Sequence, residues 1–481
     1  MPSSATRALT DSTQEVSAYR HYLEQCHTGH VCNGVYLVAR HGKPIFVEAF
    51  GDVGDDARTP LAVDSAFDIG SISKQFTAMA VLKLEAQGKL SSSDRVATYL
   101  PDFPYKQVTI AQLLSHTSGI PDILVDYTKL LRSGPLREPI TTRHVVHDLV
   151  TKGAALKFEP GSRYEYSNTA YLVLAALVEA TTHQPFAAYL QQTFFKPLGM
   201  QHTWLRTPDS DKLISSRALG FLPAADGTRK AYDQFSSFYI RGAGGIYTTV
   251  QDLLRWENAL ASGRVVPQHL WLRAIMPTRL TDGRYVPYGF GLSLKPDGRG
   301  KVRISHGGHW RGFKSDLSYF PEMDLTVIQL TNNGEDDSVD ANVTALETLA
   351  DGGTPDLVGP RIGPELYARL GENPQQVRAW FDGVLAGHPK PYDLQEGRLN
   401  ALGYALLSKK EAGKAVLVFQ LSTMAFPNSA NTYDSLADAY EAQGEISAAL
   451  TSVRTAAALE PTSVRLRERR DALASRLKSA E

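Results

Sequence analysis

The sequence predicts an α/β domain whose sheet is assembled from distant segments, with an all-helical part inserted into it and an α-helical tail behind. Three observations carry this. Strand-like runs lie at both ends of the first 350 residues, the stretch between about 90 and 280 is rich in helix signals, and the character of the chain changes after Leu349.

Residues 12–26 have helical patterning. G-V-Y-L-V-A-R-H-G-K-P-I-F-V-E-A-F-G (34–51) reads as two strands around a His41-Gly42-Lys43-Pro44 turn. From Ser71 to about Gln87, Phe76, Met79, Ala80, Leu82 and Leu84 fit a helix that Gly88 closes. In T-V-Q-D-L-L-R-W, Thr249 is placed to cap a helix, with Asp252 three residues on in a capping-box arrangement. Strand-like runs return at 288–294, 301–305 and 325–331.

The run A-D-G-G-T-P-D-L-V-G-P-R-I-G-P after Leu349 reads as a linker. Beyond it, Leu402, Gly403, Ala415, Phe419 and Pro427 reappear as Leu436, Ala437, Ala449, Val453 and Pro461, each displaced by 34 residues. That period resembles the tetratricopeptide repeat, and 364–386 fits a degenerate first repeat. The expected organisation is a catalytic domain over 1–350, a linker with connecting helices over 351–394, and repeat-like helices over 395–481. Such a tail offers a surface for a protein partner or for self-association.

Fifty basic and 51 acidic residues leave a net charge of −1, which gives no electrostatic reason to expect nucleic acid as partner. No run approaches the roughly 20 apolar residues of a membrane span. The N-terminus lacks the apolar core of a secretory signal, so the chain as written reads as cytoplasmic, or as periplasmic or secreted if a leader has been removed. The only two cysteines, Cys26 and Cys32, lie in C-H-T-G-H-V-C with His27 and His30, a spacing that fits no standard zinc pattern. Packed thiols, or one short disulfide in an exported protein, are the expectation there.

The chemistry concentrates in F-D-I-G-S-I-S-K (67–74). On a helix, residues three apart share a face, so Ser71 stacks on Lys74 while Ser73 points elsewhere. A serine hydroxyl attacks only when a base removes its proton, and lysine is a base only when burial or a positive field lowers its pKa. Two further segments extend the site. Tyr166-Ser167-Asn168 precedes an apolar helix; there a tyrosine can share proton transfer and an amide can hold the substrate or Lys74. His306-Gly307-Gly308-His309 follows a strand-like run, and its glycines allow the close backbone approach that an oxyanion hole requires. No third ligand accompanies His306 and His309, so no metal and no cofactor is expected.

S-x-x-K, then Y-x-N, then a K-T-G-like strand resembles the β-lactamase and penicillin-binding-protein family, and Y-S-N resembles its class C branch. L-L-S-H-T-S-G-I (113–120), F-E-P-G-S-R-Y-E-Y-S-N (158–168), G-G-I-Y-T-T-V-Q-D-L (244–253) and G-F-K-S-D-L-S-Y-F-P (312–321) extend the resemblance over about 15–350. It implies the β-lactamase/transpeptidase-like fold, an antiparallel sheet flanked by helices plus an all-helical subdomain, with the site between them. It also implies roles: Ser71 forms the acyl-enzyme, Lys74 activates it, Tyr166 relays protons and Asn168 assists binding. His306 stands at the third motif's lysine and Gly308 at its glycine, while the N–H groups of Ser71 and His309 form the oxyanion hole.

K-T-G itself is absent and H-G-G replaces it. Histidine offers less charge to a substrate carboxylate than lysine does. The implied function is therefore a serine hydrolase of small esters or amides, of the esterase or D-amino-acid-specific peptidase type, with weak β-lactam turnover as a side activity. The alternatives are a penicillin-interactive D-Ala-D-Ala carboxypeptidase and a non-catalytic interaction protein using its tail. G-x-S-x-G is absent, which argues against the α/β-hydrolase route to the same chemistry.

Overall fold

The computed structural model describes residues 4–132, 138–208, 210, 217–224, 228–296, 300–357, 359–387 and 392–480. The chain forms two compact units. The first comprises Cys32–Leu222 and Ala231–Leu357 with the N-terminal helix, and the second is the chain beyond Leu357 together with Thr28–Val31 and Pro223–Lys230.

The first unit is built on a six-stranded antiparallel sheet. Its strands are β1 (Gly34–Arg40), β2 (Lys43–Phe50), β3 (Ser293–Pro296), β4 (Val302–Trp310), β5 (Phe313–Phe320) and β6 (Leu325–Thr331), in the order β3-β4-β5-β6-β1-β2. The sheet thus joins the two ends of the domain through β1 and β6, with Gly34 opposite Thr331. The hairpin turn is tighter than expected: Arg40 pairs with Lys43, and only His41 and Gly42 connect them, both with positive φ. One strand expectation needs correction, and one strand was not expected. The run 288–294 is strand only from Ser293, because Gly289 and Gly291 press against backbone oxygens of Ala274 and Lys74 and bend the chain there. β5, which lies in G-F-K-S-D-L-S-Y-F-P, is a full central strand that alternation alone did not reveal; six of its eight residues are buried.

Helices flank the sheet and fill the insertion. They include α1 (Ser4–Thr28), α2 (Ser73–Ala86), α3 (Asn168–Thr182), α4 (Val250–Ala261) and α5 (Val339–Ala350). α2 is buried almost all round, Phe76, Met79 and Leu82 included, so even its polar Gln75 and Thr77 have internal partners, Trp256 Nε1–H and Gly242 O. It begins at Ser73 rather than Ser71, because Gly70–Ile72 form a 3₁₀ turn. Thr249 caps α4 by accepting the Asp252 N–H at 3.2 Å. The capping box is not completed, since the Asp252 carboxylate accepts from His202 N–H and the Thr203 hydroxyl instead. Cys26 and Cys32 are joined in a disulfide.

The second unit is helical: α6 (Ile362–Arg369), α7 (Pro374–Ala386), α8 (Glu396–Ser408), α9 (Ala412–Ala425), α10 (Ala430–Gln443), α11 (Ile446–Leu459) and α12 (Val464–Ala480). α10 and α11 each start 34 residues after α8 and α9. Gly403 on α8 lies where a Cβ would sit 2.3 Å from the Phe419 ring of α9, so a small residue is required at that crossing. Ile362, Leu366 and Phe381 share one core with Leu402 and Phe419, which makes the two connecting helices part of this unit. The linker reading of 350–364 includes position 358, outside the described residues. No described helix is long and apolar enough to cross a membrane.

Candidate active site

The site lies at the start of α2, where the 3₁₀ turn meets the edge of β4. β3 pairs with β4 only as far as Ser305, so His306–Trp310 have no strand partner on that side. The 3₁₀ turn that carries Ser71 occupies the gap. Gly70 has φ +49°, and a Cβ there would lie 2.7 Å from His309 N; one on Gly308 would lie 2.0 Å from Ile69 O. Only glycine permits this approach, and it brings the Ser71 and His309 backbones side by side.

Ser71 is half-buried and opens onto a cavity of about 730 Å³, which Tyr166, Asn168, His306 and His309 also line. Ser73 is 1% exposed and its hydroxyl accepts the Ile246 N–H at 3.4 Å, so it belongs to the core. Lys74 is wholly buried; its Nζ lies 2.9 Å from Ser71 Oγ, 2.9 Å from Asn168 Oδ1 and 3.0 Å from Ala243 O. Burial lowers its pKa to about 7, against the opposing charge of Asp122. The cause is thus desolvation. A neutral amine keeps two N–H groups for the fixed carbonyls of Asn168 and Ala243, and its lone pair then faces the Ser71 hydroxyl.

Asn168 is aimed by Asp122, a residue no sequence motif had marked. One Asp122 oxygen accepts Asn168 N–H at 2.9 Å and Asn168 Nδ2–H at 3.1 Å; the other accepts Thr169 N–H at 3.1 Å and the Thr169 hydroxyl at 2.8 Å. The carboxylate therefore caps α3 and turns the Asn168 oxygen to Lys74. Ser167 also caps α3, accepting Ala170 N–H, so Y-S-N is a helix start and a site motif at once.

Tyr166 lies against the His116 ring, tilted by 38° with the ring centres 4.2 Å apart, and Lys74 Nζ is 4.8 Å from the centre of the tyrosine ring. Burial raises its pKa above the ordinary tyrosine value, while a hydrogen bond with Ser71 acts the other way. It stays protonated at neutral pH, so it can shuttle a proton but is not the resting base.

His306 is held in one tautomer by a directed chain. Ser167 N–H donates to His116 Nδ1 at 3.2 Å, which leaves His116 Nε2–H to donate to Tyr288 Oη at 3.2 Å. Tyr288 O–H donates to His306 Nε2 at 3.0 Å, and His306 Nδ1–H donates to Gly307 O at 2.6 Å. Burial and the nearby Lys74 lower the His306 pKa to about 3, and burial lowers that of His116 as well. His306 is neutral, and both ring nitrogens are engaged. His116 lies in L-L-S-H-T-S-G-I, so its segment was legible while its partnership was not; Tyr288 and Asp122 carried no signal. Among the described residues no group of three His, Cys, Asp or Glu is arranged to hold a metal ion.

A family model described as beta-lactamase matches residues 19–350. The chain is 31% identical to penicillin-binding protein 4* of Bacillus subtilis over 64% of its own length and 69% of that protein. It is 29% identical to a D-aminopeptidase of Brucella anthropi over 66% of its own length, and spans 59% of that relative. Among solved structures, the octameric penicillin-binding protein homologue from Pyrococcus abyssi superposes with a TM-score of 0.62 at 23% identity, over 74% of this chain and 81% of that one.

Proposed function

The chain belongs to the beta-lactamase family, and on that premise we propose that it is a serine hydrolase in which Ser71 attacks the carbonyl of a small ester or amide. One observation carries this reading: a fully buried lysine amine, with a pKa lowered to about 7, lies 2.9 Å from the only serine of the motif that faces the cavity. Lys74 Nζ takes the Ser71 proton as Oγ attacks, and the carbonyl oxygen gains charge between the N–H groups of Ser71 and His309. Tyr166 passes a proton to the leaving group as the tetrahedral intermediate collapses to an acyl-enzyme. Water then reverses these steps, with the Lys74–Tyr166 pair as base.

Substrate class follows from His306. A neutral imidazole with both nitrogens engaged has neither charge nor a spare N–H for a substrate carboxylate. This favours esters and D-aminoacyl amides over peptides ending in a free D-Ala-D-Ala carboxylate, in keeping with the D-aminopeptidase relative. The test is a panel of p-nitrophenyl acetate, D-alanine p-nitroanilide, nitrocefin and a D-Ala-D-Ala peptide against the protein and Ser71→Ala. Ester or anilide turnover that vanishes in Ser71→Ala is expected. The D-Ala-D-Ala peptide as best substrate would overturn the class, and turnover surviving in Ser71→Ala would overturn the mechanism.

The helical second unit is proposed as a contact surface for a protein partner or another copy of the chain. Removing the residues after Leu357 should leave ester kinetics intact and lower the number of chains per particle, taken from the light-scattering mass divided by the chain mass. An unchanged number of chains together with lost activity would sink that role.

A further inference from the structure

We propose that Gln234 is a positioning residue that fixes the register between the two halves of the oxyanion hole, the nucleophile turn carrying Ser71 and the strand end carrying His309. The proposal rests on the serine-hydrolase reading above and adds a residue from a stretch without regular structure, to which no motif points.

The geometry is a three-link tie. The Trp310 indole N–H, on the residue after His309, donates to Gln234 Oε1 at 2.6 Å. An indole N–H can only donate, so the amide oxygen must face Trp310 and the NH₂ must face the other way. There it donates to Asp68 Oδ2 at 2.8 Å, while Asp68 Oδ1 accepts the Gly70 N–H, on the residue before Ser71, at 2.7 Å. Each end of the tie is thus one peptide away from a donor of the hole. Asp68 is 2% exposed, so the carboxylate end of the link is buried, while Gln234 is half-buried. The Arg206 guanidinium closes the same group, donating to the backbone carbonyls of Phe235 and Phe238.

Register matters here because the two backbones leave no slack. The Cβ that Gly70 lacks would fall 2.7 Å from His309 N. The N–H pair must also meet the tetrahedral oxygen within a few tenths of an ångström to stabilise it. Other contacts hold the elements in place without setting this spacing. Ser315 O–H donates to Ile69 O at 2.9 Å, and the Trp310 ring stacks on Phe238 at 5.2 Å. Breaking the tie should therefore leave the fold standing and loosen the hole.

The directionality provides the test. Asp68→Asn sets NH₂ against NH₂, and Gln234→Glu sets carboxylate against carboxylate. The double variant restores all three bonds and reverses only the middle one. Its carboxylate at position 234 accepts from Trp310 and from the amide at position 68, whose oxygen still accepts the Gly70 N–H. Trp310→Phe removes only the first donor and keeps the ring stack. Each single variant should lower kcat for p-nitrophenyl acetate by about 10- to 100-fold, a fraction of the loss seen when an oxyanion donor is deleted. KM should stay within about threefold, because the hole acts on the transition state. Inhibition by phenylboronic acid, whose adduct on Ser71 places an oxygen in the hole, should weaken in parallel, and the double variant should recover both readouts. Singles that keep kcat within about twofold refute the proposal. So does a double variant no better than the worse single, or a kcat loss without loss of boronate affinity. If the Asp68 or Gln234 variants fail to fold, Trp310→Phe alone decides by the same two readouts. Absence of Ser71-dependent turnover in the unaltered protein would instead refute the reading beneath it.

Discussion

Replacing Asp122 by asparagine should move the pH dependence of catalysis in a direction set by the Lys74 amine. The Asn168 amide bridges the two groups, through 2.9 Å to Nζ and 3.1 Å to the carboxylate. Across that amide the charges are at most about 8 Å apart. At an effective dielectric of about 20, a charge pair at that distance interacts by roughly 2 kcal/mol, which is about 1.5 pKa units. Burial lowers Lys74 to about 7 while Asp122 pulls upward, so removing the charge should drop the amine further, to roughly 5.5. Attack needs the neutral amine, which predominates above its pKa. In the unaltered protein kcat/KM should therefore fall about tenfold per pH unit below pH 7, and the variant should hold its plateau about 1.5 units further into acid. The plateau itself should be lower, because asparagine can accept from only one of the two pairs of donors that the carboxylate serves. Leaving the other pair unmet should cost about 1–3 kcal/mol of stability. The assay is initial-rate hydrolysis of p-nitrophenyl acetate from pH 5 to 9. An acid limb that stays in place, or moves toward alkali, would refute Lys74 as the titrating base.

Three further outcomes are expected. Ser71→Ala should abolish turnover, whereas Ser73→Ala should keep most of it and lose about 1 kcal/mol of stability with its hydrogen bond to Ile246; equal losses in kcat would break the assignment. Tyr288→Phe leaves His306 Nε2 without a donor and His116 Nε2–H without an acceptor. It should cost about 1–3 kcal/mol in a urea melt and free the His306 ring, raising KM more than it lowers kcat; an unchanged melt would show that the chain is not maintained in solution. Gly308→Ala drives a methyl group to 2.0 Å from Ile69 O and 2.3 Å from Ser315 Oγ, so β4 and the nucleophile turn must separate. Ester turnover should fall by at least about 100-fold through the loss of the His309 donor, and activity near the unaltered level would contradict the close approach.

Much of this site was legible because its spacing is local. The three-residue step from Ser71 to Lys74 suffices to stack them, and the chain still achieves this although a 3₁₀ turn, not the helix, carries the serine. Tyr166-Ser167-Asn168 and His306-Gly307-Gly308-His309 were each readable as a turn or strand with reactive side chains, since the residue types and their order are written consecutively. The capping aspartate was misassigned for a related reason. Local pattern places Asp252 in a box, but His202 and Thr203 arrive from elsewhere and take its carboxylate. Strand β5 escaped because burial on both faces erases the alternation by which a strand is recognised.

Which serine faces the lysine can be read along the chain from spacing alone, whereas the strand end that meets it and the exchange of lysine for histidine in the third motif were what the family resemblance implied. Periodicity and residue chemistry act over a few neighbouring positions, and that is why they are legible there. The electrical state of those groups came only with the folded arrangement. Lys74 approaches neutrality because α2 is buried on all sides, and His306 is neutral because it is buried beside Lys74, while Tyr288, 18 residues away in the chain, fills its remaining acceptor. Asp122 reaches Asn168 across 46 positions. Desolvation and hydrogen bonding depend on what surrounds a group in space, and no local pattern encodes that.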